Sequence, residues 1–228
     1  LDRRITMSLI ADVVAGTVIT VSWGNAIRDQ VIATFATEAT RNSTLTAPAE
    51  GRYADIADVD ALTRYNGATW DVVATKPIMA TLSADAAGIT TNTVLADVAG
   101  ISIPVTANRV YWVNADLIYT AAGGAGAGQV KFGWTAPAGA TFSWTNIGLV
   151  VNGASGVSGT PTFDVSTLAD SRSYGAAGSG TPVHVVVFGK LTIAGTAGNF
   201  RLQAAQAASS ATATTVRSGT TVSAHVLS

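Results

Sequence analysis

The sequence predicts a mainly β protein: a short N-terminal helix and a three-stranded meander, followed by an antiparallel β-sandwich. Three observations carry this. A helical-period stripe occurs once, near the start. From Gly51 onward, short runs rich in Val, Ile, Thr and aromatics alternate with Gly, Asn, Ala and Ser turns. Within those runs the apolar residues alternate with polar ones, as in Phe200, Leu202 and Ala204 against Arg201 and Gln203.

Taken in order, residues 1–16 read as an extended lead-in. Leu1-Asp2-Arg3-Arg4 looks like a basic leader, but Asp12 interrupts the apolar run that would follow, and Met7 is a candidate start. Trp23, Ala26, Ile27, Val31 and Phe35 then fall at helical spacing, with Ser22 as N-cap. A helix this short needs a partner surface, so Trp23, Ile27, Val31 and Phe35 are the candidate attachment and oligomerisation residues. Residues 37–50 form a polar connection, with a second short turn around Ala36 to Ala39. Strands follow at 52–56, 62–65 and 70–73, and Asn66-Gly67 is read as a two-residue type I′ hairpin turn.

Lys76-Pro77 is read as the linker, dividing the chain into 1–76 (arm, helix and meander) and 77–228 (sandwich head). In the second part strands are expected at 79–82, 94–96, 101–105, 110–119, 129–135, 141–144, 147–151, 162–166, 183–193, 199–206 and 214–226. In 110–119, Trp112, Asn114 and Asp116 share one face and Tyr111, Val113 and Leu117 the other. Aromatics on both sides fit a strand covered by the sandwich on one face and by a neighbour on the other.

Composition narrows the function. Only 12% of the 228 residues are charged, half the usual ~25%. Such a chain covers its surface with small polar residues or buries it against other chains, which points to an oligomer. The net charge of −1 and the absence of a basic block give no footprint for nucleic acid. No run of apolar residues reaches membrane-spanning length, about 18. There is no cysteine, which removes disulfides, thiolate metal sites and cysteine nucleophiles.

The candidate chemistry is sparse. Asp55, Asp58 and Asp60 form a D-x-x-D-x-D cluster, but lack the Gly and terminal Glu of a calcium loop and read better as turn caps. As a glycosidase pair, Asp55 and Asp58 sit beside a hairpin and in no evident cleft. His184 and His225 lie in strand-like runs without a second ligand. Gly123 to Gly128 lacks the Lys-Ser/Thr of a phosphate loop and reads as a mobile tip around Gly126. Gly175, Gly178 and Gly180 read as another loop. Trp134, Trp144, Tyr119 and Tyr174 are weighed as sugar-stacking aromatics. Core or interface use is favoured for them, and Tyr174 is the one expected to be exposed. Gly126 and Tyr174 therefore mark the candidate receptor-contact loops. No catalytic residue, cofactor or metal ligand is assigned, and an enzyme is not expected.

The order of these segments resembles a known family. Trp23 to Phe35, then Glu50-Gly51-Arg52-Tyr53-Ala54-Asp55, then Leu62 to Trp70 resembles the N-terminal part of fibre, minor tail and head-fibre proteins of tailed phages, especially those of actinobacteria. Ile103-Pro104-Val105, Asn108 to Trp112, Lys131 to Ala140, Gly198 to Gln203 and Ser210 to Val216 look like a C-terminal domain of the same proteins. The resemblance implies a jelly-roll-like, homotrimeric head on a virion. It would be a fibre, capsid decoration or minor tail protein, with capsid or tail proteins as partners and host cell-surface glycan as a possible receptor. A secreted carbohydrate-binding module is the alternative. If the Trp23 stripe docks the protein, Ile27→Asp abolishes attachment or trimer formation while the sandwich stays folded. Size-exclusion chromatography with light scattering and circular dichroism check both halves of that expectation.

Overall fold

The computed structural model describes residues 31–122, 129–148 and 164–227. They are mainly β, and the chain divides into two compact units, Leu1–Lys76 and Pro77–Ser228.

In the first unit, the strands β1 (Ala33–Phe35), β2 (Tyr53–Ile56), β3 (Ala61–Tyr65) and β4 (Trp70–Thr75) form one sheet in the order β1-β2-β3-β4. β1 runs parallel to β2, and the remaining pairs are antiparallel. This corrects the expected helix at its C-terminal end. Trp23 and Ile27 lie outside the described residues, but Val31 is exposed and precedes β1, and Phe35 is in a strand. Phe35 packs on the small core of Ile56, Val59 and Ala61, so burial in a sheet overrides the helical spacing. The expected three-stranded meander is β2-β3-β4, and β1 adds to it as a fourth, parallel strand of the sheet.

The polar connection contains a helix, α1 (Glu38–Thr44). Thr37 caps it by accepting from Thr40 N at 3.1 Å. Apolar residues do not hold it to the sheet. Buried Arg41 does so by placing its guanidinium 4.5 Å over the Trp70 ring and donating to Thr63 Oγ1 at 3.2 Å. Burial lowers the Arg41 pKa, and Glu38 opposes that shift.

The Asn66-Gly67 turn is also longer than expected. Tyr65 pairs with Trp70, leaving four loop residues, and Gly67 alone of the pair has positive φ. Asn66 Oδ1 accepts from Ala68 N (2.9 Å) and Thr69 N (2.8 Å), so a side-chain turn replaces the I′ geometry.

The second unit is a sandwich. One sheet has the order β10-β8-β12-β6, and the other β5-β14-β7-β11-β9 with β13 added on β7. Their ranges are β5 (Ile78–Thr81), β6 (Ala96–Val105), β7 (Val110–Ala121), β8 (Val130–Thr135), β9 (Thr141–Ile147), β10 (Arg172–Tyr174), β11 (Gly178–Thr192), β12 (Gly198–Gln206), β13 (Thr215–Val216) and β14 (Thr221–Val226). Several expectations change. Ala96 and residues 101–105 belong to one long strand, β6, and residues 94 and 95 precede it. The 214–226 segment is two strands, separated by a turn with Gly219 at positive φ. Of the expected 147–151 and 162–166 strands, residues 149–151 and 162–163 lie outside the described residues; Ile147 ends β9, and Ser166 forms a single bridge to Trp144. Gly178 and Gly180 lie inside β11 instead of a loop.

The core is aromatic where the sheets meet. Trp134 stacks on Phe200 at 4.9 Å and meets Phe142 edge-on at 5.6 Å, while Phe142 stacks on Trp144 at 6.2 Å. Gly189, paired with Trp144, makes room for this. A Cβ there would lie 2.4 Å from Ser143 O and 2.8 Å from Phe142 Cε2.

Tyr174 is the clearest reversal: it is 3% exposed, not a solvent-facing loop residue. As the last residue of β10 opposite Val130, it points its ring at Phe132, 5.9 Å away. Burial pushes the Tyr119 and Tyr174 phenols well up, so both stay protonated. The Tyr119 hydroxyl donates to Gly175 O, whereas the buried Tyr174 hydroxyl has no hydrogen-bond partner.

Two stability predictions follow from this core. Gly189→Ala lowers stability by about 3 kcal/mol or more, because overpacking meets backbone. Gly180→Ala, with nothing within 4 Å of its Cβ, is the control in thermal unfolding. Tyr174→Phe is neutral or stabilising by ~1 kcal/mol, because it removes an unsatisfied hydroxyl. Tyr119→Phe destabilises by ~1–3 kcal/mol, because it strands the Gly175 carbonyl. Denaturant melts of the two variants separate these signs.

Candidate interaction surface

The outer face of the β5-β14-β7-β11-β9 sheet gathers the exposed side chains of interest. Strand alternation decides which residues reach it: the inward set on β7 is Tyr111, Val113, Ala115, Leu117 and Tyr119, all buried. The outward set is Trp112, Asn114, Asp116 and Ile118. Register then lays them out in rows. Trp112 pairs with Lys190 on β11 and His225 on β14, and Lys190 pairs onward with Ser143 on β9. The next row is Asn114, Phe188 and Thr145. The third is Asp116, Val186 and Ile147, and Ile118 with His184 ends the face.

The two ends differ in chemistry. At one end Val186 (43% exposed) and Ile147 (44%) stand side by side with Phe188 next along β11, while Asp116, the register partner of Val186, and His184 lie between Val186 and Ile118. At the other, Trp112 is 40% exposed among polar neighbours. Beside it lies a cavity of 560 Å³ lined by Phe142, Ser143, Leu168, Ala169, Lys190 and Thr192, among others. The His184 imidazole meets the Asp116 carboxylate at 2.9 Å. Both are exposed, so the pair fixes two side chains on the face and contributes ~0–1 kcal/mol.

The residues singled out from sequence distribute otherwise. Trp23, Ile27 and Gly126 lie outside the described residues. Val31 is exposed and Phe35 half-buried in the first unit, so these two do not share a helical stripe. Trp134, Trp144, Tyr119 and Tyr174 are all in the core. Trp144 donates from Nε1 to Thr167 O at 2.8 Å. Asp58 sits in a short 3-10 turn (Ala57–Val59), and Asp60 ends it at φ 47°, 3.7 Å from Lys76 Nζ. His225 is half-buried beside Trp112. Trp112, expected under a neighbouring surface and not weighed as a sugar platform, is an exposed aromatic of the sandwich. Its signal was present: a tryptophan on the face of a strand that also carries Asn114 and Asp116.

The exposed turn at Thr167 to Asp170 is structural. The carboxylate of Asp170 accepts from Thr167 N (2.6 Å) and Thr167 Oγ1 (2.9 Å), which lowers its pKa and closes the turn bordering the cavity. Among the described residues, no group of three or more His, Asp or Glu side chains is placed to hold a metal ion. Nor is any helix long and apolar enough to cross a membrane.

No family model matches the chain, and no curated protein matches it either. Among solved structures, the chain is similar to that of the infectious bursal disease virus Gt strain at 11% identity and a TM-score of 0.18, covering 72% of this chain and 48% of that one. The Gx strain structure gives 10% identity, a TM-score of 0.16, and coverage of 72% and 46%. The VP2 subviral particle of the same virus gives 11%, 0.17, and coverage of 72% and 46%. The chain thus spans under half the length of these chains. TM-scores this low carry no argument about what this chain does.

Proposed function

We propose that this protein is a structural component of a tailed-phage virion. In this reading it is a homotrimeric fibre, decoration or minor tail protein that works by assembling and binding, not by catalysis. The observation that carries the assembly reading is the pair Val186 and Ile147, which stand exposed side by side on the outer sheet face with Phe188 next along β11. Contact with a second and third copy would cover it, which also accounts for a chain with so few charges. From β5 to β13 successive strands alternate between the two sheets, whose orders are β5-β14-β7-β11-β9 and β6-β12-β8-β10. That alternation supports the jelly-roll-like head that the family resemblance implies. The N-terminal unit, through the segment containing Trp23 and Ile27, would attach the trimer to capsid or tail, leaving the sandwich as a solvent-facing head.

The test has two arms. In light scattering, the expected mass is three times that of the chain, and Val186→Glu with Ile147→Glu yields a folded monomer. Immunogold microscopy of phage particles with an antibody against residues after Pro77 is expected to label capsid or tail. A monomeric wild type, or particles without label, overturns the reading. The second reading, a secreted carbohydrate-binding module, is favoured by exposed Trp112. A monomer that binds sugar and is missing from particles decides for it.

A further inference from the structure

We propose that the Trp112 end of the outer sheet face is a binding subsite for a carboxylate-bearing saccharide. The inference rests on the reading of the sandwich as a solvent-facing binding head, and adds to it the ligand class and the residues.

Four observations converge. Trp112 offers an exposed indole on a flat sheet, and a pyranose presents an apolar C–H face to such a ring. Its register neighbours, Lys190 on one side and His225 on the other, bring hydrogen-bonding groups to the ring's edges. Beyond Lys190 the row continues through Ser143 into the 560 Å³ cavity walled by Leu168 and Ala169, a volume within the usual range for small-molecule sites. From Trp112 to Ser143 is two interstrand spacings, about 10 Å, room for two linked sugar rings.

Charge selects the acid. Lys76, Arg172, Arg201 and Arg217 each pair with an aspartate. Among the described residues Lys190 has no ion pair, so its ammonium is available as a point charge for a ligand carboxylate. The carboxylates that would repel such a ligand are engaged. Asp116, two rows away, faces His184, and Asp170 is folded back on Thr167. A carboxylate over Lys190 with the sugar ring on Trp112 therefore meets an attractive charge at one end and a dry wall at the other.

The test uses the full chain on an array of uronate- and sialate-bearing oligosaccharides beside their carboxyl-reduced counterparts, followed by calorimetry on the best ligand. The acidic form is expected to bind on the order of tenfold or more tighter than its reduced counterpart. Trp112→Ala should weaken binding on the order of tenfold, in line with loss of an aromatic contact. Lys190→Gln should erase the preference for the acid while retaining binding of the neutral form. Both side chains are exposed, so melting temperature and oligomeric mass should stay at wild-type values. Binding unchanged in Trp112→Ala, a preference for neutral sugars, or no binding to either set overturns the inference. Particles without label, or a monomeric wild type, would instead overturn the virion reading and leave the subsite intact.

Discussion

The close approach of β9 to β11 at Gly189 is the constraint on which the sandwich depends. With no side chain at that position, Phe142 and Trp144 lie down over the strand and reach Trp134 and Phe200 of the opposite sheet. Those rings then close the core between the sheets. Because β11 also pairs with β7 through a register unbroken from Val183 to Thr192, the same packing fixes which side of β7 turns inward. A slip of one residue would exchange Tyr111, Val113 and Leu117 for Trp112, Asn114 and Asp116. The outward presentation of Trp112 is thus a consequence of what the core requires.

The first unit solves the same problem with much less apolar material. Its core is Ile56, Val59 and Ala61 with Phe35 against them, too little to hold a helix by burial alone. Arg41 substitutes for an apolar anchor. Its stem and guanidinium cover Trp70, and its nitrogens bond to Thr63 and Asn42. Thr63 Oγ1 in turn donates to Ala54 O at 2.9 Å, tying helix, β3 and β2 together. The cost of burying a guanidinium is offset because its donors are used and its flat face is stacked.

The sequence made the sandwich legible because alternation is a local property. The parity of Phe200, Leu202 and Ala204 in β12, and of Tyr111 through Leu117 in β7, survives in the structure. What it hid was whatever depends on a distant partner. The run Val31-Ile32-Ala33-Thr34-Phe35 fits a helical stripe and a β-strand equally well, and pairing with Ala54 to Ile56 decides for the strand at its end. Tyr174 lies near glycines and an arginine, which reads as a loop. Yet β10 pairs with β8 and turns the ring into the core beside Phe132. The aromatics weighed as sugar platforms, Trp134, Trp144, Tyr119 and Tyr174, all take inward positions on their strands. Trp112 shares β7 with Tyr119 but has the opposite parity, which turns it outward.

The outer face also explains how one sheet can carry two unlike surfaces. Neighbouring rows lie two residues apart along the strands, so the Trp112 row and the Val186 row are separated by about 13 Å. Over that distance the side chains pass from indole, ammonium and hydroxyl groups to Phe188, then to Val186 and Ile147. An apolar contact between copies gains from excluding water, while a charged saccharide contact needs water at its rim to receive the rest of the ligand. The two are compatible on one face only if they occupy opposite ends. The His184–Asp116 pair stands within that end, Asp116 beside Val186 and His184 beside Ile118, and its mutual hydrogen bond leaves the carboxylate satisfied as the Val186 and Ile147 side chains are covered.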